Sequence, residues 1–283
     1  MNSANTPEKV QAKANQVAKN RWVAYLARFG YITKGIVYLL VGILAVQLAF
    51  GLGGRTTDQR GALQTIANQP FGQALMCIVA IGLFGYALWS EMQAILDVDR
   101  KGKDAKGILS RLGYAGIGIS YIALGIGAFH LATSTGSAGK NSTDSAQDWT
   151  ARLLQMPFGV VLVVIVGLIV LGIAIALFVK VYKASFQQAL DLSSLSPGMR
   201  EGVMLLGRIG HAALGVVFVI IGIFLILAAL QHNPNEAKGL DSALLELTHQ
   251  PFGAVLLAII ALGFVAYGLY CFIEARYHNI QHY

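Results

Sequence analysis

Six stretches without a charged residue constrain what this chain can fold into more than any other feature. They run 35–54, 61–90, 112–139, 153–179, 209–235 and 247–273, and are 20 to 30 residues long. About 20 consecutive apolar residues, rising 1.5 Å each, cross a hydrocarbon core of about 30 Å. Each stretch therefore suffices for one membrane crossing, and trimming the polar ends predicts helices near 33–51, 71–93, 112–133, 158–181, 209–231 and 252–274. A closed β-barrel is the other way to satisfy backbone groups in lipid, but the runs lack two-residue alternation. Composition agrees with helices in lipid. The chain is 55% hydrophobic and 12% charged, against roughly 25% charged residues in a soluble domain.

Lys and Arg set the expected orientation. Lys9, Lys13, Lys19, Arg21, Arg28 and Lys34 precede or open the first span. Arg100, Lys101, Lys103, Lys106 and Arg111 fill the second connection, Lys180, Lys183, Arg200 and Arg208 the fourth, and Arg276 follows the last span. The opposite side holds only Arg55, Arg60, Lys140, Arg152 and Lys238. This asymmetry predicts cytoplasmic N and C termini. It also turns the net charge of +7 toward a membrane surface, with anionic lipid at the cytoplasmic face and no nucleic-acid partner. The first 27 residues are polar and basic and lack a signal-peptide exit, so the first span is expected to act as its own insertion signal.

An internal repeat organises the spans. Arg28-Phe29-Gly30, Arg111-Leu112-Gly113 and Arg208-Ile209-Gly210 open the odd-numbered helices. Seven residues after each Arg stands Gly35, Gly118 or Gly215, and fourteen after it Gly42, Gly125 or Gly222. Between them fall the aromatics Tyr38, Tyr121 and Phe218. Every even-numbered helix opens with Pro-Phe-Gly: Pro70-Phe71-Gly72, Pro157-Phe158-Gly159 and Pro251-Phe252-Gly253. The units are 28–98, 111–183 and 208–276, three tandem two-helix repeats behind a cytoplasmic amphipathic segment 1–27. Glycines seven apart share a helix face, so they predict grooves for close helix packing. Pro is expected in the first helical turn, where its missing N–H costs nothing. Each entry Arg is expected to snorkel toward headgroups.

Short amphipathic stretches precede each Pro-Phe-Gly. Asp241-Ser242-Ala243-Leu244-Leu245-Glu246-Leu247 is one, and a brief helix lying on the outer surface is expected there. Leu63, Ile66, Leu244 and Leu247 would face the lipid or the bundle. In the N-terminal segment, Val10, Ala14, Val17, Trp22, Tyr25 and Phe29 recur at helical spacing behind a Thr6-Pro7 start. Ser196-Pro197 offers a similar start before the fifth span.

This pattern, Arg-x-Gly at each entry and Pro-Phe-Gly at each second helix, resembles a bacterial family catalogued as domain of unknown function 1206. The resemblance covers about residues 22–279 and includes the closing Glu274-Ala275-Arg276-Tyr277. It implies six helices in a bacterial cytoplasmic membrane and supplies no activity. The middle repeat departs from its neighbours: Ile173 stands where the others have Tyr86 and Tyr267.

Few side chains promise chemistry. Lys34, Glu91, Lys180 and Glu274 lie near the cytoplasmic helix ends, where snorkelling is the expected behaviour. The sharper candidate is a cytoplasmic-mouth cluster of Arg28, Glu91, Arg111, Arg208 and Glu274. His130 and His211 stand at opposite ends of their helices, and His232 and His249 flank a loop without the convergent ligands zinc needs. Cys77 and Cys271 sit in apolar runs and read as packing residues. Thr33, Gln47 and Ser120 read as helix–helix hydrogen-bonding groups. Motifs G-x-S-x-G, H-E-x-x-H and Walker A do not occur, so no catalytic residue, cofactor or metal site is assigned. The expectation is a non-enzymatic membrane protein with a structural, lipid-organising or interaction role. A facilitator for a small neutral solute is the alternative, and an enzyme with a cytoplasmic-face site the third reading.

Overall fold

A computed structural model describes residues 21–99, 101–102, 104–133 and 142–278. The expected amphipathic segment therefore lies outside the described residues, except for 21–27. Among these residues, six helices are long and apolar enough to cross a membrane: α1 (Arg21–Ala49), α3 (Gly72–Leu96), α4 (Ala105–Thr133), α6 (Gly159–Tyr182), α7 (Pro197–Leu230) and α9 (Gly253–Tyr277). Three shorter helices precede the even-numbered spans: α2 (Gln59–Ala67), α5 (Ser142–Leu154) and α8 (Leu240–Thr248). The fold is all-α. The odd-numbered spans begin well before their apolar runs; α7 starts at Pro197 behind Ser196 and runs unbroken for 34 residues.

Close packing follows the glycines. α1 packs on α9, α3 on α4, and α6 on α7, and further contacts join α1 to α3 and α7 to α9. The helices thus form a band in the order α6, α7, α9, α1, α3, α4. At the three closest pairs, the first span of each unit (α1, α4, α7) presents its two spaced glycines to the second span of another unit (α9, α3, α6). A Cβ on Gly35 would lie 2.9 Å from the Gly268 carbonyl, and one on Gly42 2.8 Å from Val265. Gly118 lies against Glu91 and Gly125 against Phe84, while Gly215 meets Phe178 and Gly222 meets Leu171. Phe84, Leu171 and Val265 all stand fourteen residues after their Pro.

The contacts within each unit are not equivalent. In the first, a Cβ on Gly30 would sit 2.5 Å from the Tyr86 backbone nitrogen, and Gly82 abuts Thr33. In the third, Gly210 presses on Tyr267 and Gly263 on Ala213. In the second, Gly113 and Gly116 meet nothing within 4 Å, and α4 and α6 do not pack comparably. The residues that would have closed this seam differ in kind. Ile169 stands where the other units have Gly82 and Gly263, Ile173 where they have tyrosine, and Ser120 where they have Val37 and Val217. Val37 and Val217 are 2% and 1% exposed, whereas Ile169 is 58% exposed. The band is closed at two of its intra-unit seams and open at the third.

Each Pro-Phe-Gly makes the same turn, and it corrects the expected register. Helices α3, α6 and α9 begin at the Gly; the preceding Phe71, Phe158 and Phe252 are N-caps in the left-handed region, at φ 62°, 63° and 60°. Pro therefore lies before the helix, not in its first turn. A bulky residue held left-handed costs about 1–3 kcal/mol, so the turn must satisfy something else. It folds the short helix back so tightly that a Cβ on Gly72 would strike the Ala67 carbonyl, and one on Gly253 the Thr248 carbonyl. The same turn throws the three Phe rings outward, 83–86% exposed, at the level where aromatics anchor membrane interfaces. The short helices α2 and α8 are more than surface ornaments. Leu63 and Leu244 are fully buried and Leu247 nearly so, in one core with the spans.

Candidate functional site

The site grows from the tightness of α1 against α9. With Gly35 and Gly42 drawing the two backbones together, Lys34 is left facing the bundle interior, and its side chain stays there. Lys34 is 6% exposed, so the snorkelling expected of it does not occur. Its ammonium donates a hydrogen bond to the Tyr86 hydroxyl at 2.9 Å. It also lies 4.6 Å from the Tyr86 ring centroid, 5.1 Å from that of Tyr267 and 5.8 Å from that of Tyr31. Among the described residues no ion pair joins it to a carboxylate. A lysine inside a bilayer costs about 2.5–3.5 kcal/mol on insertion scales. One charged hydrogen bond of about 1.5–3 kcal/mol and the Tyr267 ring beside it, worth about 0.5–2 kcal/mol, are enough to offset that.

Polar groups continue from Lys34 in both directions. Toward the end bearing the Phe turns, Tyr38 packs edge-on against Tyr267 at 4.8 Å and lies beside Tyr121. The Tyr38 hydroxyl accepts a hydrogen bond from the Gln59 amide at 3.2 Å. Gln59 is the first residue of α2, which Asp58 caps by accepting the Gly61 N–H at 2.8 Å. Toward the end bearing the entry arginines, the basic end, Tyr31 contacts Tyr86 and His278, both at 5.1 Å between centroids. Trp89 meets His278 edge-on at 5.9 Å. Glu274 lies one turn before His278 on the same helix, and the His278 N–H bonds to its carbonyl.

Several of these groups are buried without a hydrogen-bond partner among the described residues: Glu274 Oε2, Trp89 Nε1 and both ring nitrogens of His278. Burial pushes the His278 imidazole below its ordinary pKa, against the opposing pull of the Glu274 and Asp99 carboxylates. Asp99 completes the line, accepting from the Tyr114 hydroxyl at 2.7 Å and the Gln93 amide at 3.1 Å. A separate aromatic plug fills the same end of the third unit. Phe186 stacks on His211 at 5.4 Å, and His211 Nδ1 bonds to the Gly207 carbonyl at 2.7 Å.

The five residues of the expected cytoplasmic-mouth cluster lie around the basic end as follows. Arg28 is half-buried, with its Nε unpartnered. Glu91 lies against Gly118 between α3 and α4. Arg111 donates to the Ala94 and Ile95 carbonyls, closing the end of α3. Arg208 is exposed and Glu274 buried. No ion pair joins any two of them among the described residues. Lys34 reads as a snorkelling residue in the sequence, His211 as an isolated histidine and four of the tyrosines as repeat markers, while His278 and the cage they form escape that reading. Their signal was present: Tyr31, Tyr38, Tyr86, Tyr121, Tyr267 and Tyr270 lie within apolar spans, although tyrosine is a residue of membrane interfaces.

Comparison with known proteins bears on the whole chain. The family described as Domain of Unknown Function (DUF1206) matches residues 29–97, 112–184 and 209–278. The chain is 34% identical over 273 residues, 96% of its length and 97% of the relative's, to an uncharacterized protein, YxxB, of Bacillus subtilis (strain 168). No solved structure matches. With six candidate spans, these findings describe a multi-pass membrane protein, consistent with residence in a bacterial cell membrane.

Proposed function

The chain belongs to the DUF1206 family, and on that premise we propose that it is a non-enzymatic, lipid-organising membrane protein whose open seam between α4 and α6 takes up phospholipid. Three tandem two-helix units build it, and both termini are read as cytoplasmic because Lys and Arg gather at the basic end. The single observation that carries the proposal is the empty face of Gly113 and Gly116 on α4, whose counterpart residues on α6, Ile169 and Ile173, are exposed as well. In hydrocarbon, such a face is filled by an acyl chain at no hydrophobic cost, since lipid tails are as apolar as the side chains they meet. Lys106, Lys180 and Lys183 flank the basic end of the two helices, which suits an anionic headgroup at about 1 kcal/mol per cation. A facilitator for solutes finds less support, since the described interior is filled by Lys34 and buried tyrosines and roofed by α2 and α8.

Lipid retention tests this reading. The full chain, extracted in mild detergent and examined by native mass spectrometry, is expected to hold an anionic phospholipid through detergent exchange. Gly113→Leu with Gly116→Leu, which fills the seam, is expected to lower the retained fraction at least fivefold. Retention no greater than in the detergent blank, or unchanged in the filled variant, would end the proposal.

A further inference from the structure

Inside the bundle, polar side chains succeed one another from α2 toward the basic end. Gln59, half-buried in α2, opens the line at the end bearing the Phe turns, and Tyr38 accepts its hydrogen bond. Tyr121 and Lys34 follow, then Tyr86 with the 2.9 Å hydrogen bond. Beyond Tyr31 stand His278 and Glu274, an unpartnered base and acid more than nine-tenths buried. Ordinary packing explains a buried tyrosine, and cation–π contact explains Lys34. Neither accounts for a carboxylate oxygen and two imidazole nitrogens left without partners one helical turn apart, each at a cost of about 1–3 kcal/mol.

A proton is the one species that can use such a line, because it needs exchangeable groups and no volume. We propose that the Gln59–Tyr38–Lys34–Tyr86–Glu274/His278 line conducts protons across the bundle. The balance is simple. Lys34 gives a proton to the Tyr86 oxygen as the Tyr86 hydroxyl proton moves on toward the basic end, where the Glu274 carboxylate or the His278 imidazole accepts it. The Tyr38 hydroxyl reprotonates Lys34 and takes the Gln59 amide proton in turn, as the Gln59 carbonyl oxygen accepts one from outside water. Glu274 or His278 passes its proton on to the Asp99 carboxylate. Every bond broken is remade, one proton enters as one leaves, and nothing is oxidised or reduced. The charged groups facing the line are Lys34 itself on α1, Glu274 on α9, Asp99 after α3 and, more distantly, Lys180 on α6. The membrane potential, worth about 2.3 kcal/mol per charge per 100 mV, supplies the direction. This function stands independently of lipid in the seam, since no residue of the line lies on the open face.

The test uses the purified full chain in liposomes that enclose a pH-sensitive dye, with a potassium diffusion potential set by valinomycin. Proton uptake several-fold above protein-free vesicles is expected. Tyr86→Phe removes one oxygen and keeps the ring, and is expected to reduce uptake at least tenfold; Glu274→Gln and Lys34→Met should do likewise. Tyr182→Phe, 87% exposed on α6, should leave it unchanged. Each variant is accepted only with an unaltered elution volume and helical circular dichroism, and Tyr86→Phe decides the matter if Lys34→Met does not fold. Wild-type uptake equal to that of empty vesicles overturns the proposal, as does a folded Tyr86→Phe that conducts like the wild type.

Discussion

The seam between α1 and α3 and the seam between α4 and α6 join corresponding helices, yet one is closed and the other open. In the first, glycine on each partner admits the other's backbone: Gly30 against Tyr86, and Gly82 against Thr33. In the second, Ile169 replaces the glycine of the even-numbered helix, so close approach is sterically refused before any question of affinity arises. Ile173 and Ser120 are both exposed, whereas their counterparts Tyr86, Tyr267, Val37 and Val217 are buried. The contrast teaches that membrane helices adhere through fit rather than through hydrophobicity. Helix α6 is the most apolar of the spans and the least buried.

The largest expected effect comes from imposing the open seam's residue on the closed one. Gly82→Ile should destabilise the bundle by more than about 3 kcal/mol, because overpacking here strikes α1 itself. Gly113→Leu, on the open side, should stay within about 0.5–1 kcal/mol. Thermal unfolding in detergent checks both, and equal losses would erase the distinction between the seams. A mid-sized effect tests the closed side through pH. The fold disfavours the protonated form of His278, so the folded chain binds fewer protons than the unfolded one below the unfolded pKa of about 6.5. Stability from this group is complete above that pH and declines as the pH falls, by at most about 1.4 kcal/mol per unit. His278→Gln should flatten the stability profile between about pH 6.5 and 5; a profile as steep as the wild type's would show that another group titrates. The smallest effect is the reverse graft. Ile169→Gly with Ile173→Tyr should change stability by about 1 kcal/mol or less, yet reduce lipid retention, since the two helices could then meet.

Much of this was legible beforehand because lipid imposes a coarse rule. An uncharged run of 20 residues or more without two-residue alternation satisfies its backbone in lipid as a helix, so the six spans could be read from the gaps between charges. The departure of the middle unit at Ile173 was equally visible, but not its meaning; only the empty surroundings of Gly113 show that a contact has gone. Lys34 was misread for a physical reason. It stands at the start of the helix expected near 33–51, where snorkelling is possible, but α1 begins at Arg21 and its rotational setting, fixed by Gly35 and Gly42 against α9, turns Lys34 inward. The Pro-Phe-Gly register was missed likewise, because a left-handed Phe is a choice no propensity favours and only the tight return of the short helix enforces.

By itself, then, the sequence determined the solvent, the number of long helices and the places where they can approach closely, since hydrophobic length and missing side chains are local properties. Tertiary structure alone decided which helices become neighbours, which seam stays open, and that a lysine and six tyrosines meet inside the bundle. Those outcomes depend on the direction each helix face takes once its partners are in place, and no single helix contains that information.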